Sequence, residues 1–275
     1  MPRHTLRTLL APTAKRWVGA LRSRLHRHLG LVVCRSGSSW KIQEHEQLAR
    51  FLAHFDVDCV FDVGANAGQY ADRLRQLGFQ GLILSFEPNP ELVARLQRKA
   101  SRDAKWVVIP HALDSESRRI DFNIMRDSEF SSLLAPDHSQ TDRFADPNSV
   151  AASIPVETRT VDQLFGELRA QYGFRRPFLK LDTQGHDAAV VAGAGQSLSN
   201  FVGLQSELAF TTLYLGAERY DRTLTGYEQL GFKLTALIPN NAGHFPDLNE
   251  IDCLMYNTRL SPDGVDPLHR PRERP

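Results

Sequence analysis

Four acids, set beside three small turns, carry the chemistry this chain offers. In CVFDVGANAGQY (residues 59–70) an apolar run breaks into a turn holding Asp62, Gly64, Asn66 and Gly68. Glu87 follows a second apolar run in SFEPNP, Asp182 a third in LKLDTQGHD, and Glu207 a fourth in GLQSE. A dinucleotide site wants G-x-G-x-x-G, with pyrophosphate held at a helix N-terminus. Here Asn66 stands where the second glycine of that pattern is expected, and a carboxylate at Asp62 would repel a diphosphate. An aspartate at that place favours an ammonium or a sulfonium, and S-adenosylmethionine carries both without any phosphate. Glycines at 64 and 68 allow close approach of backbone to ligand. Glu87, roughly 20 residues past the turn, suits a ribose diol, as it also would in a nicotinamide cofactor. Two other readings stay open on these residues: a nicotinamide oxidoreductase, and a tight turn whose acids face solvent. Ala65, Tyr70 and Pro88 flank the turn and Glu87 and join the expected cofactor contacts.

The second half of the constellation is catalytic in type. Methyl transfer from such a donor needs the acceptor atom held in line with the methyl group and, where that atom is a hydroxyl oxygen, a base to take its proton. Asp182, His186 and Glu207 are the candidates for that work. Asp182 orients the acceptor, takes its proton or touches the methionine end of the cofactor. His186 titrates near neutrality, as a general base should, though a surface or capping histidine is the plainer alternative. Glu207 could clamp hydroxyls or serve as base, or simply stabilise a helix N-terminus. Ser131, Ser132 and Tyr214 are further candidates for acceptor contacts. No resident metal is expected, although the side chains of Asp182, His186 and Glu207 are of types that bind one.

Alternating apolar runs and helical periods must position these groups. Strands are expected at 59–63, 82–86, 105–109, 119–124, 155–159, 178–182, 203–208, 232–238 and 251–257. Helices are expected at 48–55, 68–78, 91–100, 160–172, 188–198 and 222–230, the fourth opened by a capping box from Thr160 to Gln163. Such alternation predicts an α/β fold with a mostly parallel sheet covered on both faces, and sites beyond the strands' carboxyl ends. Residues 126–152 read as a long loop: a lid, a binding loop or disorder.

Composition bounds the rest. The chain has 275 residues, 41% hydrophobic, with no run long enough to span a membrane. Its three cysteines, Cys34, Cys59 and Cys253, form no CxxC pair, which suits a reducing, cytoplasmic setting. The net charge of +1 conceals a division. Nine Lys or Arg precede the first acid, Glu44, leaving 33 − 9 = 24 bases against 32 acids in the remainder, a net of −8. An acidic body argues against nucleic-acid partners. Residues 1–43 form a basic segment of helical periodicity: a helix packed on the domain, a surface helix on anionic lipid or an acidic partner, or a transit segment. Residues 44–260 form the main domain, and the proline-rich 261–275 a disordered tail.

The ordered motifs DVGANAGQY, SFEPNP, LKLDTQGHD and LQSELAFTTLY, followed by GlyPhe, resemble the FkbM-type methyltransferases over roughly Val60 to Asn257. The resemblance implies a Rossmann-like class I methyltransferase with a seven-stranded sheet, using S-adenosylmethionine to methylate hydroxyls of sugars or polyketides. It implies that Asp62, Gly64, Asn66 and Gly68 hold the methionine end, Glu87 the ribose, and His111, Ala112 and Leu113 the adenine. The expected function is O-methyl transfer to a saccharide-containing or related natural product. Alternatives are N- or C-methylation of a protein or small metabolite, and a non-catalytic domain that binds the cofactor as a scaffold.

Overall fold

The computed structural model describes residues 39–239 and 246–260. Most of the basic segment, and all of the tail at 261–275, lie outside the described residues. In chain order the elements are α1 (Ser39–His54), β1 (Cys59–Val63), α2 (Gln69–Gln76), β2 (Leu82–Phe86), α3 (Pro90–Ala100), β3 (Trp106–Ile109), β4 (Ala112–Leu113) and β5 (Arg119–Met125). They continue with β6 (Val150–Arg159), α4 (Val161–Tyr172), β7 (Pro177–Leu181), α5 (Asp187–Ala192), β8 (Gly203–Ala209), α6 (Tyr220–Gln229), β9 (Phe232–Ile238) and β10 (Glu250–Asn257). Helix α1 thus begins before the boundary expected at residue 44, and it belongs to the domain: Leu48, Phe51, Leu52 and Phe55 are buried. No helix among the described residues is long and apolar enough to cross a membrane.

Seven strands form the central sheet in the order β3-β2-β1-β7-β8-β10-β9. Every pairing is parallel except those of β10, which runs antiparallel to both β8 and β9. The chain order reverses between β1 and β7, which is where sheets of this kind open a crevice at their carboxyl edge. Strand β1 is buried from end to end, and its alternate residues serve two cores. Cys59, Phe61 and Val63 face α4, α5 and α6, where Phe61 meets the rings of Phe86, Phe165, Phe174 and Phe201. Val60 faces α1, α2 and α3, with Leu48, Phe51, Leu74, Leu96 and Phe178.

Asp62 shares the α1–α2 side of the sheet with Val60, because residues two apart on a strand point the same way. Its register partner on β7 is Lys180, whose register partner on β8 is Gln205. A transverse row of polar side chains therefore crosses three central strands under α1 and α2, one layer nearer the carboxyl edge than the apolar core.

The stretch expected as a loop at 126–152 is more ordered than its composition suggests. It contains a 3₁₀ turn at Ser128–Phe130, a bridge from Asn123 to Ser132, another from Pro136 to Tyr214, and the first residues of β6. Strands β4, β6 and β5 form a separate three-stranded sheet, in which β5 and β6 pair antiparallel. That small sheet and its 3₁₀ turn roof the crevice. Helix α5 stops at Ala192, short of the expected 198, and a separate 3₁₀ turn covers Leu198–Asn200.

Candidate active site

A cavity of about 390 Å³ lies along the carboxyl edge of the central sheet. Its lining follows the strand order: His111 beyond β3, Glu87 beyond β2, Gly64 beyond β1, Asp182 beyond β7, Glu207 on β8, and Glu250 with Asp252 on β10. Six adjacent strand positions at about 4.8 Å spacing make this a long slot rather than a point site.

The turn after β1 explains the tight geometry at the centre. Gly64 has φ +77°, and a Cβ there would fall 1.9 Å from the carbonyl oxygen of Asp182. The tips of β1 and β7 are locked at that distance by the Asp182 amide, which donates to the carbonyl of Val63 at 3.1 Å. Asn66 also has positive φ and turns its backbone N–H onto Glu87 Oε2 at 2.8 Å. Gly68, at φ +83°, starts α2; a Cβ there would press on Leu96 and Trp106 at 2.9–3.0 Å.

Glu87 is held from two sides, since the Asn89 N–H donates to its Oε1 at 2.9 Å. Asn89 in turn caps α3 through its side chain, with Pro90 opening the helix. Burial pushes the Glu87 carboxyl up to about 7, against the two backbone N–H donors that favour its ionised form. The apolar end beyond it is lined by Phe86, Leu92, Leu113 and Phe122. There the Nδ1 of His111 is buried without a hydrogen-bond partner. A flat apolar slot with an orphaned ring nitrogen, next to an anchored carboxylate, fits an adenosine: adenine edge to His111, ribose diol to Glu87.

The structure places two of the expected cofactor contacts off the cavity wall. Asp62 does not line the cavity; it is fully buried beneath the turn, where Ser85 Oγ donates to it at 2.9 Å and Lys180 Nζ lies 3.4 Å away. Its place one residue before the strand end puts its side chain in the sheet's interior layer under α1 and α2. Gly68 packs on α3 and β3 rather than on the cavity, for the steric reason given above. Gly64, Ala65, Asn66, Tyr70, Glu87, Pro88, His111, Ala112 and Leu113 all line it, as do Asp182, His186 and Glu207.

Lys180 is one residue that sequence reasoning missed, and a lysine inside the apolar strand PFLKL was its signal. Its ammonium lies 3.4 Å from Asp62 Oδ1, 3.3 Å from Asp182 Oδ2 and 3.5 Å from the carbonyl oxygen of Gly64. Burial disfavours the charge, but Asp182 and Asp62 together outweigh it and hold the ammonium well above its ordinary range. Asp182, 42% exposed, carries this ion cluster out to the cavity wall, and Gln184 Nε2 donates to its other oxygen at 2.9 Å. Gln184 reaches that position from a left-handed backbone, φ +54°.

The far end of the slot is acidic. Tyr70 donates to Gln205 at 2.8 Å, and Gln205 donates to Asp252 at 2.8 Å. Burial raises the Asp252 carboxyl to about 8 despite that donor. Asp252 is the register partner of Glu207. Burial and the neighbouring Glu250, Asp182 and Asp252 raise Glu207 well above the carboxylate range, and it shares a hydrogen bond with Glu250. Glu44 of α1, itself buried, pairs with Arg73 of α2, and both line this end. None of Glu44, Gln205, Glu250 and Asp252 was anticipated, because only the register of β8 with β10 brings the last two here.

His186 opens onto the cavity but is mostly buried, with its Nε2 2.9 Å from Asp114, a fully buried carboxylate also paired with Arg118. Of the further acceptor candidates, Ser131 lines the wall. Ser132 and Tyr214 lie behind it, bonding the Gln184 carbonyl and side chain, so they brace the roof rather than face the slot. Among the described residues no cluster of His, Cys, Asp and Glu is arranged to hold a metal ion.

The Methyltransferase FkbM domain matches residues 62–234. The chain belongs to the FkbM methyltransferase family. A curated relative, the 2-O-methyltransferase NoeI of Sinorhizobium fredii (strain NBRC 101917 / NGR234), is 26% identical over 234 residues, 81% of this chain and 88% of that protein. Among solved structures, magnesium protoporphyrin IX methyltransferase of Synechocystis PCC 6803 with bound SAM gives a TM-score of 0.43 at 10% identity, covering 87% of this chain and 96% of that one. Aeropyrum pernix fibrillarin with S-adenosyl-L-methionine gives 0.40 at 13% identity, covering 72% and 66%. As a member of this family the protein is an S-adenosylmethionine-dependent methyltransferase of class I architecture.

The Glu87 arrangement makes a pH prediction. Only the ionised carboxyl can accept two hydrogen bonds from a ribose diol, so binding strengthens as pH rises through about 7. Calorimetry with S-adenosylhomocysteine should show about tenfold weaker binding at pH 6 than at pH 8. In Glu87→Gln that slope should flatten. The same raised pKa acts oppositely on the unliganded fold: the folded state keeps a proton the unfolded chain loses, so this group's contribution to stability declines between 4.5 and about 7.

Proposed function

We propose that this methyltransferase transfers the methyl group to a hydroxyl of a saccharide-containing or related natural-product acceptor. The observation that carries the reading is the acidic end of the slot, where Asp182, Glu207, Glu250 and Asp252 line one continuous wall beside the site's centre. Carboxyl groups at several angles suit the many hydroxyls of a sugar ring, and they disfavour nucleic-acid phosphate. The relative's printed activity, 2-O-methyl transfer, supports oxygen as the acceptor atom.

When bound, S-adenosylmethionine supplies a methyl carbon activated by a sulfonium. The chain's own residues then have three tasks. Glu87 and His111 seat the adenosine, and Gly64 admits the methionine end against the tip of β7. Asp182, held by Lys180 and Gln184, presents a carboxylate oxygen to the acceptor hydroxyl and takes its proton as the new C–O bond forms. Glu207, hydrogen-bonded with Glu250, and Asp252 hold neighbouring hydroxyls. His186, steadied by Asp114, supports the turn that carries Asp182 and stands as the second candidate base. We place this activity in the cytoplasm, with the segment before residue 39 as the candidate contact for membrane or an acidic partner.

The test is incubation of the full chain with methyl-labelled cofactor and neutral oligosaccharide and glycolipid fractions. The expected product carries one added methylene as an ether on a sugar oxygen. Label found only on nitrogen or carbon, or on no hydroxylated acceptor, would refute the reading.

A further inference from the structure

Lys180 sits between two carboxylates that occupy different layers. Asp62 lies behind it, fully buried, and Asp182 lies ahead of it at the cavity wall. The same ammonium is 3.5 Å from the Gly64 carbonyl and 5.2 Å from the centre of the Tyr70 ring, so it lies against both sides of the turn after β1. Among the described residues the other Lys or Arg lining this cavity is Arg73, which is paired with the buried Glu44. One ammonium against two carboxylates leaves a single negative charge at the centre of the slot.

We propose that the Asp62–Lys180–Asp182 cluster, in which Lys180 neutralises one carboxylate and positions the other, leaves a net charge of minus one at the methyl-donor end, so that the site holds the sulfonium cofactor more tightly than its neutral thioether product. The inference rests on the S-adenosylmethionine reading of the cavity. In the reaction the acceptor oxygen bonds the methyl carbon, the C–S bond breaks with its electron pair returning to sulfur, and the hydroxyl proton passes to a carboxylate. The sulfonium charge disappears in that step. The amino and carboxylate groups of the methionine end are common to donor and product, so they drop out of the comparison. What remains is the attraction between the sulfonium and the Asp62–Lys180–Asp182 cluster, present before transfer and absent after it. Product leaves because the charge that held the donor is gone.

The ratio of two dissociation constants reads this directly. Calorimetry would give Kd for S-adenosylmethionine and S-adenosylhomocysteine on the wild type, Asp182→Asn, and the double variant Asp62→Asn with Lys180→Met. The wild type should favour the sulfonium. Asp182→Asn, which brings the cluster to zero, should reduce that preference roughly fivefold to tenfold. The double variant removes one charge of each sign, keeps the sum at minus one, and should keep the preference even if both ligands bind more weakly. Equal weakening of both ligands in Asp182→Asn would overturn the proposal and leave Asp182 a merely structural role; so would loss of the preference in the double variant. A wild type that binds neither compound would overturn the cofactor reading itself, and this inference with it.

Discussion

Gly64→Ala should abolish cofactor binding, with Kd rising at least 100-fold. Two costs add at this position. Alanine at φ +77° is strained by about 1–2 kcal/mol. The larger cost is steric: the new methyl would lie 1.9 Å from the Asp182 carbonyl, a backbone atom fixed by the pairing of β1 with β7. Relief requires the two strand tips to part, which moves the Asp182 side chain and takes Gly64 O away from Lys180. Both sides of the donor end are then misplaced, and loss of about 2.8 kcal/mol of contacts there is a hundredfold rise in Kd. Gly78→Ala is the control. It has a similar positive φ, +86°, but nothing within 4 Å of the added carbon. It should cost only the backbone strain and bind cofactor as the wild type does. Calorimetry and thermal melts on the two variants separate the clash from the conformational cost.

Lys180→Met should destabilise the fold by about 3–5 kcal/mol, a fall in melting temperature of roughly 10 °C. The cause is not the lost attraction alone. Burial already raises Asp62, with Lys180 and the Ser85 hydroxyl opposing that rise. Remove the ammonium and the carboxylate must either stay charged without a partner or take up a proton. The sign of the pH response follows. An acid whose folded pKa is raised gives stability at low pH and loses it as pH climbs, so the variant's deficit should grow from pH 5 to pH 8. Adding Asp62→Asn should recover a large part of the loss, since an amide can sit in that layer neutral. Urea unfolding at several pH values measures both effects. A deficit independent of pH, or no recovery in the double variant, would show that Lys180 matters through packing only.

Much of the frame was readable because it rests on local signals. Strands 59–63, 82–86 and 232–238 are bounded by turns and mostly apolar, and each is found with the expected ends. The capping box from Thr160 to Gln163 is formed with both of its hydrogen bonds. Glu87 and Asp182 follow their strands directly, so position alone aimed them at the carboxyl edge.

What was not readable depends on register and on covering layers. Asp62 looks the same in sequence whether its carboxylate meets ligand or lysine; only the pairing of β1 with β7 sets Lys180 beside it. Nothing local in the sequence shows that α1 and α2 close over the face that Asp62 shares with Val60. Asp252 and Glu250 lie in an antiparallel strand far along the chain, and their meeting with Glu207 is a property of sheet order. The 126–152 segment read as loop because its contacts, to β5, Gln184 and Tyr214, are long-range.

The most direct test is a crystal structure of the full chain with S-adenosylhomocysteine. The account predicts both ribose hydroxyls on the Glu87 carboxylate, adenine against His111 and Leu113, and the thioether sulfur between Gly64 and Asp182 with no contact to Asp62. A nucleoside seated elsewhere, or a sulfur turned away from the β1–β7 tips, would contradict it.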